Sequence, residues 1–147
     1  MIYIWLTLVI FILELMIKNY IVKTKKENEK QCIIKNELYI EYTKNKGAIY
    51  SSFEDKSNIV RGVSVVILAI MGIMYVFVLW GKDNKITKLG MSLIMAGGLS
   101  NVYDRVKRRY VVDYIYLRRI KKIVFNIADV CICIGSILLT IGEFRKH

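Results

Sequence analysis

The sequence predicts an all-α membrane protein, four transmembrane helices accompanied by a small β-hairpin outside the bilayer. Three observations predict it. Of 147 residues, 55% are hydrophobic and the mean hydropathy is +0.40, although 23 are Lys or Arg. Four long apolar stretches alternate with basic segments, each near the roughly 20 residues a helix needs to cross the hydrocarbon core. Proline is absent and glycine sparse, so no linker divides the chain, and residues 1–147 read as one integral membrane domain.

The first span covers about 2–22 and carries Glu14 and Lys18, the lysine stem running along apolar surface toward the interface. With no basic leader and no small-residue cleavage site, it reads as an uncleaved anchor. The loop of about 23–59 opens with a solvated charge run. Two β-prone runs follow within 32–42, with Asn36 placed to turn between them as a hairpin. Asn45-Lys46-Gly47-Ala48 then supplies a turn.

The second span, about 60–80, has no charge from Gly62 onward and ends in Trp80, suited to the headgroup boundary. A soluble bundle helix would show a polar stripe there. The third span, about 86–103, ends in Asn101-Val-Tyr-Asp104-Arg105. Residues 104–122 interleave Arg and Lys with Tyr and Val, as a short strand or amphipathic element on the bilayer surface. The fourth span, about 123–142, holds Asn126 and Asp129 in its first turns.

Composition also excludes. A net charge of +11 invites nucleic-acid binding, but basic loops meeting anionic lipid heads explain it with less strain. Three scattered cysteines make no disulfide framework, and Cys131 and Cys133 read as packing residues. The single histidine, His147, leaves no triad or zinc site, and no glycine-rich phosphate loop is present, so neither metal nor cofactor is expected.

With four spans, the ends of the first and third and the start of the fourth share one side of the membrane. That side collects Glu14, Lys18, Asn101, Asp104, Arg105, Asn126 and Asp129, and the two longer loops add Asn45, Gly47 and Asp113. Asn101 and Asp104 are three apart, Asn126 and Asp129 three apart, and Glu14 and Lys18 four apart, so each pair shares a helix face. The bland readings are an intrahelical ion pair for Glu14 and Lys18, a headgroup anchor for Arg105, and an Arg105 partner for Asp104. Asp129 resists a bland reading, because Asp costs roughly 2.5–3.5 kcal/mol at the centre of a membrane helix.

Two carboxyls converging in a low-dielectric site cannot both ionise easily and share a proton near neutral pH. That state suits peptide hydrolysis, in which one acid deprotonates a water while the other polarises the carbonyl.

These motifs resemble the lipoprotein signal peptidases (signal peptidase II), four-span aspartyl proteases of bacterial membranes. Gly97-Gly-Leu-Ser-Asn-Val-Tyr-Asp-Arg105, Val111-Val-Asp-Tyr114 and Phe125-Asn-Ile-Ala-Asp129 follow in the family's order. Asn45-Lys-Gly-Ala48 is similar to a first-loop motif, and Glu14 with Lys18 to an Asp-x-x-x-Lys pair. The resemblance implies a dyad of Asp113 and Asp129, with Asn45, Gly47, Asn101, Asp104, Arg105, Asn126, Glu14 and Lys18 orienting it or binding substrate. It implies a bundle with an extracytoplasmic β-cradle, monomeric, in the cytoplasmic (inner) membrane, with membrane lipids around it. The substrate would be a prolipoprotein, cut before a diacylglyceryl-cysteine on the outer face.

The chain departs from the family pattern at Glu14 for Asp, Ser100 for Gly, Arg109 for Gly, Tyr114 for Phe and Val130 for Ser, and at Ile49-Tyr50 for Ala-Phe. Counting basic residues would turn both long loops inward; the motifs place them outside. Two further readings remain. One is a catalytically impaired relative acting as a membrane scaffold or lipoprotein-binding factor, favoured by Arg109, whose cation near Asp113 would hold both acids ionised. The other is a proton-coupled carrier, whose ionisable groups belong nearer the midplane.

Overall fold

A computed structural model of the chain describes residues 1–35, 37–47, 57–119 and 123–145. Asn36, Ala48, Ile49, Tyr50 and His147 lie outside the described residues. Four helices, α1 (Ile2–Thr24), α2 (Ser57–Trp80), α3 (Lys85–Lys107) and α4 (Ile127–Phe144), carry a sheet of β1 (Lys30–Ile34), β2 (Leu38–Asn45), β3 (Val111–Leu117) and β4 (Val124–Phe125). The strands lie in the order β1-β2-β3-β4, every pair antiparallel. The expected hairpin is therefore β1–β2, and the 104–122 segment supplies β3, which extends it.

Among the described residues, three helices are long and apolar enough to cross a membrane: α1, α2 over Asn58–Trp80, and α4. α3 is as long as α1 but carries Lys85, Lys88, Asn101, Asp104, Arg105 and Lys107. It is the central helix, packed on α1, α2 and α4. Enclosure replaces apolar bulk with small residues. A Cβ on Gly97 would lie 2.3 Å from the Ala128 carbonyl oxygen, and Gly90 and Gly135 each stand 2.7 Å from the other's carbonyl by the same construction. Backbones that approach so closely are how helices associate where lipid removes the hydrophobic drive.

Burial is the reverse of a water-soluble bundle. Glu14, Lys18, Thr87, Ser92, Asn101 and Asp104 are buried, whereas Val9, Ile12, Val66, Ile70, Phe77, Ile134 and Ile137 face outward. Such a surface requires an apolar solvent. Helix α2 is held to the bundle by an apolar cluster of Tyr75, Met91, Ile94 and Met95, by Lys88 Nζ of α3 donating to the Leu79 carbonyl at 3.1 Å, and by polar contacts of Tyr75. The Tyr75 hydroxyl lies 2.8 Å from Thr7 Oγ1 and 3.0 Å from Ser92 Oγ, and donates to the Tyr3 carbonyl at 3.0 Å. A second cluster of Ile21, Tyr42, Val112 and Tyr114 seats the sheet on α1.

Two boundaries move from expectation. Helix α3 runs to Lys107, so Asp104 and Arg105 are helical and no part of a loop starting at 104. Helix α4 starts at Ile127, four residues after the expected 123, because Val124 and Phe125 pair with Tyr116 and Ile115 of β3.

Candidate active site

The sheet, the end of α3 and the start of α4 meet above α1, and each delivers a polar side chain for a local reason. Asn126 is the N-cap of α4: its side chain accepts from the Asp129 N–H at 3.0 Å, and Asp129 Oδ2 accepts from the Asn126 N–H at 3.1 Å. This reciprocal capping box satisfies otherwise orphaned donors and explains the spacing of three. The pair therefore brackets a helix start and does not share a helix face as its spacing suggested.

Asp113 comes from β3. Asn45, paired with Val111 across the β2–β3 ladder, is the diagonal neighbour of Asp113 and donates from Nδ2 to its Oδ2 at 3.0 Å. Asn126 Nδ2 donates to Asp113 Oδ1 at 2.6 Å, and Asn101 Nδ2 donates to Asp129 Oδ1 at 2.8 Å. Asn126 thus links the two acids, one through its amide side chain and the other through its backbone N–H. Burial, and next the negative charge of Asp129, push the Asp113 carboxyl up to about 7, against the opposing pull of Asn45, Asn126 and Lys18. Near neutral pH the Asp113 carboxyl can therefore hold a proton.

Beneath lies a charge cluster that orients these groups. Lys18 Nζ donates to Asn101 Oδ1 at 2.9 Å, and lies 3.0 Å from Asp104 Oδ2 and 3.8 Å from Glu14 Oε1. Asp104 is also 2.5 Å from Arg108 Nη1 and accepts from the Val112 N–H at 3.1 Å, fastening α3 to β3. Arg108 reaches Asn19 as well. The expected Asp104–Arg105 pair is replaced by Lys18 and Arg108. Glu14, Lys18 and Asp104 are fully buried beneath these groups.

Arg105 instead faces Asp129, Asp113 and Asp104, and its Nη2 donates to the Gly47 carbonyl at 3.4 Å. Its buried Nε has no hydrogen-bond partner among the described residues. Gly47 is held by its own N–H donating to Asn45 Oδ1 at 3.1 Å, the expected turn. All ten candidate residues therefore belong to one connected cluster. Sequence reasoning missed Arg108 and the Tyr114 hydroxyl, which donates to Glu14 Oε2 at 2.7 Å. The only signal for Tyr114 was a polar atom on an otherwise apolar strand position.

Arg109 does not do what was expected. It is exposed, with φ of 67°, and is not among the leading influences on Asp113. No cation from this position holds the carboxyl ionised. The left-handed backbone is one that glycine adopts without strain, which fits the glycine that the resemblance leads one to expect here. Among the described residues, no group of His, Cys, Asp and Glu could hold a metal ion. Cys131 is half-buried and Cys133 is exposed, so only the first is partly a packing residue.

Fold and site together define a multi-pass membrane protein with paired, amide-held carboxyls at one end of its helices. The family described as Signal peptidase (SPase) II matches residues 6–145. The lipoprotein signal peptidase of Clostridium tetani (strain Massachusetts / E88) is 35% identical over 139 residues, covering 92% of this chain and 87% of that protein. That of Streptococcus pneumoniae (strain ATCC BAA-255 / R6) is 31% identical over 135 residues, covering 92% and 87%. A solved structure, described as a bacterial membrane enzyme determined by the in meso method at 2.3 Å, superposes with a TM-score of 0.86 at 29% identity, covering 97% of this chain and 87% of that one. The chain belongs to the signal peptidase II family.

Proposed function

We propose that this chain is an aspartic endopeptidase that removes signal peptides from prolipoproteins, with Asp113 and Asp129 as its catalytic pair. The observation that carries the pair is Asn126, which holds one acid by its side chain and the other by its backbone. One carboxylate takes a proton from the attacking water as its oxygen bonds to the scissile carbonyl carbon. The other carboxyl, protonated, donates to the carbonyl oxygen. Collapse of the tetrahedral diol breaks the C–N bond, the amine leaving with a proton from the pair. Base and acid are therefore roles of the dyad as a whole.

Asn45, Asn101 and Asn126 orient the carboxyls by donating to them. Arg105, with a free buried N–H beside the Gly47 carbonyl, binds the substrate backbone. Glu14, Lys18 and Asp104 position these groups from beneath. The substrate carries a diacylglyceryl-cysteine after the cut, which the lipid-facing flank of the bundle suits.

We also infer that α3 is a fourth transmembrane helix, within a single integral domain spanning 1–147. Its 23 residues match the other spans in length, and its polar groups are enclosed by them. The site then faces the extracytoplasmic side of the cytoplasmic membrane, where a lipidated substrate emerges, and the basic strands lie against lipid phosphates. A monomer suffices in this reading, since one chain supplies every group of the site.

The test is reconstitution with a lipidated prolipoprotein. Wild type is expected to cleave it, while Asp113→Asn and Asp129→Asn each lose at least about a thousandfold, within the span general acid–base groups contribute. Unchanged cleavage by either variant removes that acid from the dyad, and an inactive wild type returns the scaffold reading.

A further inference from the structure

Glu14 takes part in no step of the proposed hydrolysis, yet both of its oxygens are engaged. Oε2 accepts from the Tyr114 hydroxyl at 2.7 Å, and Oε1 accepts from the Ala128 N–H at 3.4 Å. The Tyr114 oxygen in turn accepts from the Ile127 N–H at 3.4 Å. Ile127 and Ala128 open α4, where N–H groups have no partner within the helix. The third, from Asp129, is capped by Asn126. The first three donors of α4 are thus taken by Tyr114, Glu14 and Asn126.

Tyr114 directly follows Asp113 in β3, and Ile127 and Ala128 directly precede Asp129. The hydroxyl therefore joins the strand that bears one acid to the helix end that bears the other, with Glu14 of α1 as the common anchor. Tyr114 is 3% exposed and Glu14 1%, so neither side chain reaches a substrate. Phenylalanine would fill nearly the same volume but would leave a buried carboxylate without its shortest donor and the Ile127 N–H without an acceptor. Hydrogen bonds to an ionised carboxylate are about twice as strong as neutral ones.

We infer that Tyr114 is a positioning residue whose hydroxyl, anchored by Glu14, sets the placement of Asp113 relative to Asp129. The inference rests on the dyad proposed above. Because it acts on the geometry of the acids and not on substrate binding, its removal lowers kcat and leaves KM alone.

The experiment is a double-mutant cycle of Tyr114→Phe and Glu14→Asp in the full chain, reconstituted in vesicles with a lipidated prolipoprotein. Glu14→Asp keeps the charge beside Lys18 but withdraws the oxygens from the hydroxyl. Each single change is expected to lower kcat roughly tenfold, the scale of one hydrogen bond to a charged group. The double variant is expected within about twofold of the worse single one, since the two remove the same interaction. Hydrogen exchange at the Ile127 and Ala128 amides should quicken in Tyr114→Phe. Unaltered kcat in Tyr114→Phe, a rise in KM at constant kcat, or losses that multiply would each overturn the inference. Asp113→Asn measured alongside separates the two levels. Full cleavage by that variant overturns the dyad and the inference with it, whereas its inactivity beside an unaffected Tyr114→Phe overturns the inference alone.

Discussion

Asp113 shows how a single side chain makes a site pH-dependent. Its carboxyl, lifted to about 7 by burial and then by Asp129, must keep a proton available within the pair. Activity should therefore fall as pH rises above about 7, approaching tenfold per unit, in a profile of kcat/KM against pH. Stability follows the same sign. The folded value lies above the unfolded 3.8, so the native state binds more protons between the two, and unfolding becomes easier as pH climbs from about 4 to 7. In Asp113→Asn that slope should vanish, as thermal unfolding in micelles across pH would show. Arg109 gives the opposite kind of prediction. Its φ of 67° costs a side-chain-bearing residue about 1–2 kcal/mol, so Arg109→Gly should stabilise by about that amount while cleavage is retained. Asp129 was legible in the sequence because a carboxylate in so apolar a helix demands a reason, whereas Asp113 stood out only through the resemblance of its motif. The left-handed backbone at Arg109 was not, since φ is set by the turn that joins α3 to β3.

At the scale of elements, α3 shows why one of the four expected spans looks weaker than the rest. Its enclosed position trades apolar surface for close backbone approach, and Gly97 is where that approach is tightest. Gly97→Val should push α4 away, displace Asp129 and abolish cleavage with loss of thermal stability. Gly62→Ala, on α2 with nothing within 4 Å of its added carbon, should raise stability by about 0.5–1 kcal/mol through helix propensity. The charge cluster joining α1 to α3 is equally sensitive. Lys18→Met leaves Glu14 with only neutral donors and Asp104 with Arg108 as its only cation in a buried setting, and should destabilise by about 3–5 kcal/mol, measured by denaturant titration in micelles. Hydrophobic runs located α1, α2 and α4 well. They misplaced the start of α4, because Val124 and Phe125 are as apolar as a membrane segment and only pairing with β3 makes them a strand.

At the scale of the whole molecule, alternation of spans brings the ends of α1 and α3 and the start of α4 to the same end as the sheet. The proposed orientation has a natural reporter in Cys32, exposed on β1. In a background lacking Cys131 and Cys133, a membrane-impermeant maleimide should label Cys32 in right-side-out vesicles and spare it in inverted ones. The reverse pattern would mean that the basic loops obey positive-inside counting after all.

The residue string by itself determined the class of protein and the convergence of its polar motifs. Those follow from chain-local quantities: hydropathy, spacing, and the even or odd count of spans between two motifs. Only the tertiary structure decided that Asp104 serves Lys18 and Arg108, that Asn126 caps one acid while holding the other, and that Tyr114 leans on Glu14. Each of these is a hydrogen bond or ion pair, two of them between residues far apart in the chain, and its directionality depends on where two backbones come to rest.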